Sequence, residues 1–418
     1  MLRWQGRVTK AVGQLVESNG PVCSVGECCE IVDSEGSVYD GEIVGFRDQT
    51  VLSMPLEKPQ GIRYGDRIIA RGVRPALRVG DSLIGRVIDG TGQPLDGREG
   101  YHAEQLWPMD GSAPLPLDRS SIREPLGCGV RAIDGLITCG RGQRLGIFGG
   151  SGVGKSTLIG MMTRGTSADL TVLALVGERG REVREFLEAL GPEGMRRSVV
   201  VVSTSDQSPL LRIRAALAAT AVSEYFLSRG KHVLLVVDSL TRFAMAQREV
   251  GLAAGEPPTA KGYTPSVFSL LARLIERAGN FGGGSITAFY TVLMEGDDQQ
   301  DPLVDAVRAL LDGHVVLDRR LSTQNHFPSI SVLDSLSRLM SAVCSPDHRD
   351  KARKLRRLIA LYAGAEDLIR IGAYQKGIDP SLDQAVSAMP MITGFLQQDI
   401  KDKAPFTQTV QALLSLPG

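Results

Sequence analysis

Hydrophobic residues in the first 72 positions come in short runs that are separated by turn-forming residues. The runs are rich in β-forming residues, and turns fall at residues 18–21 and 34–36. Several short strands at this spacing predict a small β-barrel or sandwich. We expect residues 80–90 to continue in the same style. The runs are residues 7–9, 14–17, 30–32, 42–44 and 51–52.

From about Gly142 the pattern changes to apolar runs of strand length that alternate with helical stretches. This alternation predicts a mostly parallel sheet that is covered by helices on both faces. The predicted strands are residues 145–148, 170–176, 199–202, 233–237, 286–291 and 315–317. The predicted helices are residues 155–163, 181–190, 209–228 and 266–278.

After about Ser345 no run has the character of a strand. Ala352, Leu355, Ile359 and Tyr362 recur at helical spacing, which predicts an all-helical C-terminal part. The predicted fold class is therefore α/β, with a small N-terminal β-barrel and a C-terminal helical domain around it. The predicted domains are residues 1–72 for the barrel, 73–344 for the α/β domain and 345–418 for the helical domain.

Composition excludes several classes of protein. The 418 residues include 47 Lys and Arg against 47 Asp and Glu, so no overall electrostatic attraction to nucleic acid or anionic lipid is expected. The N-terminus has no apolar run behind its positive charges, and no stretch approaches the roughly 18 apolar residues of a transmembrane helix. Six cysteines without a C-x-x-C pair indicate reduced thiols and a cytoplasmic protein. The five histidines are scattered without metal-ligand spacing.

The strongest local signal is a glycine-rich loop that ends in Lys155 and Ser156. It follows an apolar strand, precedes a helix and fits G-x-x-x-x-G-K-[ST]. Such a loop lets backbone N–H groups curl around a nucleotide's phosphates at a helix N-terminus. Lys155 supplies charge to the β- and γ-phosphates and Ser156 a hydroxyl to Mg²⁺, so ATP and Mg²⁺ are the expected cofactors. The predicted ATP-binding residues here are Gly149, Gly150, Ser151, Gly152, Val153, Gly154, Lys155, Ser156 and Thr157.

Two acidic residues stand at the ends of apolar runs that are predicted to be strands. Asp238 ends the apolar run 233–237, where a carboxylate can bind a metal-bound water. Glu178 follows the strand after the phosphate loop and therefore lies at the same carboxyl edge of a parallel sheet. Glu178 is the candidate base or water-positioning group for hydrolysis. The alternative is that Glu178 is only a solvated acid at a helix start.

These motifs together resemble the rotary-type ATPase family, which includes the F1 and V-type catalytic subunits and the type III protein-export ATPases. Within that family the chain is most similar to the flagellum-specific export ATPases, over essentially its whole length. The resemblance implies that the central domain is a RecA-like P-loop domain. It is carried by the phosphate loop and by GCGVRAIDGLITCGRG (127–142), DSLTR (238–242), GEPPTAKGYTPSVF (255–268), SITAFYTV (285–292), GHVVLD (313–318) and IGAYQKG (371–377).

The resemblance also implies roles for individual residues. Glu178 matches the catalytic glutamate of the hydrolysing subunits, which the non-catalytic subunits lack. Arg179 and Glu182 match positions close to the phosphates and the water shell of Mg²⁺. Arg338 matches the arginine finger that is offered to the neighbouring subunit's γ-phosphate, with a surface ion pair as the alternative. Phe327 matches the aromatic residue that stacks on adenine, with a core aromatic as the alternative.

Further expectations about assembly follow from the resemblance. The family forms homohexamers and binds a peripheral-stalk regulator dimer and a central coiled-coil stalk subunit, which residues 371–384 would face. The expected location is the cytoplasmic face of the inner membrane, peripheral only, beside the export gate, chaperones and export substrates. Members carry an extra N-terminal helical segment for regulator binding. Here the strand at Gly6 begins almost at once, so that contact stays open.

Three other functions remain as alternatives. An injectisome ATPase of virulence type III secretion shares the same motifs. A hexameric RNA translocase shares the core, but the aromatics Trp4, Tyr39, Phe46 and Tyr64 are dispersed, and the basic run 348–357 is typical of a solvated helix face, so no nucleic-acid partner is expected. A non-catalytic nucleotide-binding subunit would lack the carboxylate of Glu178.

Overall fold

The computed structural model describes residues 5–57, 61–294 and 301–417, so Trp4 lies outside the described residues. The first six strands close into a barrel in the order β1-β2-β5-β4-β3-β6, which confirms a barrel rather than a sandwich. Alternate side chains such as Val8, Ile31 and Ile43 fill its interior. The strands are β1 (Gln5–Val12), β2 (Leu15–Ser18), β3 (Cys28–Val32), β4 (Val38–Arg47), β5 (Thr50–Pro55) and β6 (Arg67–Ala70).

The segment after the barrel does not continue it, so the expectation for residues 80–90 is wrong. Its strand β8 (Val87–Asp89) instead runs parallel to β14 (Ser198–Thr204) at the edge of the central sheet. A closed barrel has no free edge for a further strand, whereas the central sheet has one, and Ile88 is fully buried there. The neighbouring strands are β7 (Ala76–Val79), paired with β9 (Gln105–Pro108), and β10 (Pro125–Leu126), paired with β11 (Cys139–Gly140).

The central sheet has the order β19-β18-β12-β17-β15-β13-β14-β8. All neighbouring pairs from β18 to β8 are parallel, as predicted, whereas the unpredicted edge strand β19 is antiparallel to β18. All nine residues of β13 are buried, because helices cover both faces. The strands are β12 (Arg144–Gly149), β13 (Leu170–Glu178), β15 (His232–Asp238), β16 (Gly279–Phe281), β17 (Gly284–Leu293), β18 (Gly313–Leu317) and β19 (Ile330–Ser337).

The predicted helices form within a few residues of their expected bounds, and the part after Ser345 contains helices and no strand among the described residues. Ser208 and Ser345 cap the two longest helices, each accepting a hydrogen bond from the backbone N–H three residues on. The helices are α1 (Arg131–Leu136), α2 (Lys155–Gly165), α3 (Gly180–Met195), α4 (Pro209–Ser228), α5 (Leu240–Ala254), α6 (Pro265–Glu276), α7 (Pro302–Leu310), α8 (Arg319–Thr323), α9 (Met340–Val343), α10 (Pro346–Arg370), α11 (Pro380–Leu396) and α12 (Phe406–Ser415).

The barrel, the covered sheet and the helical C-terminal part agree with the predicted fold class. The domain boundaries at residues 72 and 344 stay predictions. Across the described ranges, no helix is both long and apolar enough to span a bilayer.

Candidate functional site

The phosphate loop connects the end of β12 to the start of α2. Gly152 and Gly154 have φ angles of 78° and 90°, a left-handed conformation that residues with a Cβ rarely adopt. The turn therefore brings the loop's backbone N–H groups together at the N-terminus of α2, where an anion is stabilised. The Ser329 hydroxyl donates to the Val153 carbonyl at 2.6 Å and fixes the loop from the side.

Lys155 forms an ion pair with Asp238, whose carboxylate Oδ1 lies 2.7 Å from Nζ. Only 12% of the lysine side chain and 4% of the aspartate side chain are exposed, so water screens the pair weakly. Asp238 ends β15, and Lys155 begins α2, the helix that follows β12. In the sheet, β17 lies between β12 and β15. On β17, Thr291 also donates to Asp238 Oδ1, at 2.7 Å.

The oxygen donors at this edge suit a small hard cation. Ser156 is exposed at the start of α2, and the carboxylate of Asp238, at the end of β15, lies beside Lys155. Mg²⁺ prefers such oxygen ligands together with water and phosphate. The donor set therefore fits Mg²⁺.

Glu178 lies at the end of β13, is only 8% exposed, and is held by Arg242. Arg242 Nε lies 3.2 Å from one carboxylate oxygen, and Nη2 donates to the other at 3.3 Å. Arg242 Nη1 also donates to the Gly177 carbonyl at 2.6 Å. Gly177 has a φ of 67°, and a Cβ there would lie 3.1 Å from the Arg242 side chain. A glycine is therefore required where the strand turns to present Glu178.

Burial raises the pKa of Glu178 to about 7, supported by a hydrogen bond with Glu182 and by the negative charge of Asp238. The same hydrogen bond holds the pKa of Glu182 below its ordinary value. The hydrogen bond between the two carboxyl groups therefore favours the protonated form of Glu178 and the ionised form of Glu182. Arg179 is the residue before α3. Its Nη1 lies 3.9 Å from Oε1 of Glu182, and 78% of its side chain is exposed.

Phe327 lies next to the phosphate loop. A Cβ built on Gly154 would be 3.8 Å from the Phe327 ring, and 38% of Phe327 is exposed. The ring therefore stands at the surface beside the start of α2. An exposed aromatic face at this position can stack on a planar base.

Arg338 is the one predicted site residue that the structure keeps away from the others. It follows β19, and its backbone N–H donates to the Asp312 carbonyl at 3.0 Å. Ser337 pairs with Gly313, at the amino end of β18, whereas the phosphate loop is at the carboxyl end of β12. The six residues of β12 span about 17 Å, so Arg338 does not reach the phosphate loop of its own chain.

Two residues at the site were missed from the sequence. Arg242 lies in the DSLTR motif. This motif supports the family resemblance, but no role was predicted for its arginine. Thr291 lies within SITAFYTV, where a hydroxyl near the end of a buried strand is a usable signal. Both touch an acidic residue of the site directly.

Family models cover three parts of the chain. The nucleotide-binding domain of the ATP synthase alpha/beta family matches residues 129–337, and the beta-barrel domain of that family matches residues 8–72. The T3SS EscN ATPase C-terminal domain matches residues 344–415.

Full-length relatives agree with these models. The flagellum-specific ATP synthase of Bacillus subtilis is 50% identical, with 99% of this chain and 95% of that protein covered. The assembled ATPase EscN of the enteropathogenic E. coli type III secretion system is 44% identical, with a TM-score of 0.94 and coverage of 99% of this chain and 100% of that one. The structure of EscN in complex with its central stalk EscO is 43% identical, with a TM-score of 0.91 and the same coverage. The resemblance is thereby confirmed, and the chain belongs to the ATP synthase alpha/beta family.

Proposed function

We propose that this chain is a Mg²⁺-dependent ATPase of the flagellar type III protein-export apparatus, which helps to deliver and unfold export substrates. The observation that carries the proposal is the buried carboxyl group of Glu178. Its pKa of about 7 suits a group that accepts a proton near neutral pH. It lies at the same sheet edge as the Lys155–Asp238 pair, as hydrolysis at a phosphate loop requires.

Each side chain takes a separate role in the proposed reaction. Lys155 leaves Asp238 and meets the β- and γ-phosphates of ATP, where its charge offsets theirs. Ser156 and Asp238 would hold Mg²⁺, partly through water with Glu182, and the metal would neutralise charge on the phosphate oxygens. Glu178 orients a water molecule opposite the γ-phosphate and accepts its proton.

The remaining ATP contacts come from backbone and surface groups. The N–H groups of residues 149–157 surround the phosphates, and Phe327 stacks on the adenine ring. Arg179 turns from solvent towards the phosphates. Arg242 keeps the carboxylate of Glu178 aligned, because its guanidinium contacts both oxygens.

We further propose that Arg338 acts on the site of a neighbouring subunit in a homohexamer. Its position at the far edge of the sheet supports this, since an arginine finger must come from another chain if its own site is out of reach. The neighbour's guanidinium would stabilise charge that develops on the γ-phosphate. The assembled state of EscN supports an oligomer.

Partners of the export apparatus complete the proposal. Residues 371–384 contact a central coiled-coil stalk, which the EscN–EscO complex supports. A peripheral-stalk regulator dimer, the export gate, chaperones and export substrates are further proposed partners at the cytoplasmic face of the inner membrane. An injectisome role is the second candidate, which the likeness to EscN supports.

Gene replacement separates the two candidates. The chain is expressed in Bacillus subtilis without its flagellum-specific ATP synthase and in enteropathogenic E. coli without EscN. Restored swimming with wild type but not with Glu178→Gln supports the flagellar function. Restored secretion without restored swimming favours the injectisome. A purified protein that does not hydrolyse ATP in Mg²⁺ contradicts both.

A further inference from the structure

The loop between α11 and α12, residues 397–405, connects α2 to the segment that carries Phe327. The backbone N–H of Gln398 donates to the Phe327 carbonyl at 2.9 Å, and the Phe327 ring lies beside the start of α2. Two residues further on, the Ile400 carbonyl accepts a hydrogen bond at 2.8 Å from Arg164, in the last turn of α2. This loop of the C-terminal part therefore contacts the phosphate-loop helix.

Gln398 fixes the loop with every polar group of its side chain. The residue is 5% exposed. Its Oε1 accepts a hydrogen bond from the Arg131 backbone N–H at 2.9 Å, and its Nε2 donates to the carbonyls of Gly129 at 2.9 Å and Asp402 at 3.3 Å. Leaving a buried amide without hydrogen-bond partners costs more free energy than the net stabilisation that those hydrogen bonds supplied. The native side chain therefore strongly favours this one arrangement.

The backbone groups that hydrogen-bond to Gln398 belong to a segment that packs against the C-terminal end of α2. Gly129 has a φ of 75°, and a Cβ there would lie 2.5 Å from the Cα of Gly165, the last residue of α2. Arg131 adds a second grip, because its Nε donates to the Phe395 carbonyl at 2.8 Å and its guanidinium also bonds the Gln397 carbonyl. Gln398 thus joins a rigid support behind α2 to the carbonyl of Phe327.

We propose that Gln398 is a positioning residue for the adenine end of the nucleotide. It does not touch ATP. It holds the α11–α12 loop, and the loop holds the backbone of Phe327 so that the ring stays beside the phosphate loop. The inference rests on the proposed function, in which Phe327 stacks on adenine. Loss of the side-chain bonds frees Phe327 and weakens binding of the base, while the phosphates and Glu178 are unaffected.

The test uses Gln398→Met, which keeps the volume and removes both sets of hydrogen bonds, and Gln397→Met as the matched control. Gln397 is the exposed neighbour of Gln398, and it accepts the hydrogen bond from Arg131 with its backbone carbonyl rather than with its side chain. We expect the KM for ATP to rise about tenfold in Gln398→Met, as for loss of about one well-formed buried hydrogen bond. The kcat and the inhibition constant of Mg²⁺-tripolyphosphate, which has phosphates and no base, stay within about twofold. Gln397→Met matches wild type in all three.

Phe327→Ala is measured in parallel and should reproduce the selective rise in KM. If Phe327→Ala raises the KM and Gln398→Met does not, the inference is wrong while the proposed function stands. Equal weakening of ATP and tripolyphosphate in Gln398→Met also overturns it, because Gln398 would then support the whole site. If wild type does not hydrolyse ATP, the proposed function itself fails. Should Gln398→Met not fold, Arg131→Lys removes the second grip and should give the same selectivity.

Discussion

The kcat/KM for ATP hydrolysis should fall about tenfold when the pH is lowered from 8 to 6. Glu178 must be a carboxylate to accept a proton, and its pKa in the free protein is about 7. The ionised fraction is therefore about ten elevenths at pH 8 and about one eleventh at pH 6, and kcat/KM follows the free enzyme. A glutamate at its ordinary pKa of 4.5 would stay ionised over this range and give a flat profile.

Two neighbours should move the midpoint of the profile in opposite directions. Glu182→Gln removes the carboxylate that favours the protonated form of Glu178, so the midpoint shifts to lower pH. Arg242→Gln removes the positive charge that favours the ionised form, so the midpoint shifts to higher pH. A shift in the same direction for both variants would contradict the electrostatic explanation.

The assay is phosphate release at low ATP, with Mg²⁺ in excess so that the terminal phosphate stays ionised across the range. Circular dichroism at each pH serves as the control for folding. Glu178→Gln should have low activity, and its pH profile should lack the midpoint near pH 7. A wild-type profile that is flat from pH 6 to pH 8 would refute the assignment of Glu178 as the base.

Three further substitutions test separate parts of the site. Lys155→Ala should abolish hydrolysis and lower the thermal unfolding midpoint without loss of the fold, because the buried carboxylate of Asp238 loses its ion-pair partner; normal turnover would exclude the phosphate-loop assignment. Arg338→Ala and Glu178→Gln proteins should each be inactive, and mixing them should restore part of the activity; no recovery in rings shown to be mixed would rule out a finger in trans. Gly177→Ala should cost about 1–3 kcal/mol of stability, measured by urea unfolding, and reduce activity by displacing Arg242; an unchanged unfolding curve would contradict the strain argument.

The parts of the site that sequence predicts are those built from contiguous residues. The phosphate loop is a local motif, and its flanking strand and helix follow from periodicity. The position of Glu178 at the same edge follows from the rule that parallel strands share a carboxyl end. These inferences need no knowledge of which strands are neighbours.

Features that depend on distant pairing were not predictable in this way. The three residues of β8 carry no information about whether they join the barrel or pair with β14. The antiparallel edge strand β19 decides that Arg338 is far from its own phosphate loop. Gln398 meets Gly129 across 269 positions, and no local pattern in a glutamine pair distinguishes the buried side chain from the exposed one.

In the proposed function, the ion pair between Lys155 and Asp238 favours binding of the metal and the nucleotide as one complex. A cation that arrives alone must displace the ammonium group from Asp238 and leave that group largely buried without a partner. A triphosphate that arrives alone takes the ammonium group and brings its own negative charge towards the stranded carboxylate. Only the metal and the triphosphate together give both groups a new partner at once. The ion pair therefore favours binding of the metal–triphosphate complex over binding of the metal or the triphosphate alone.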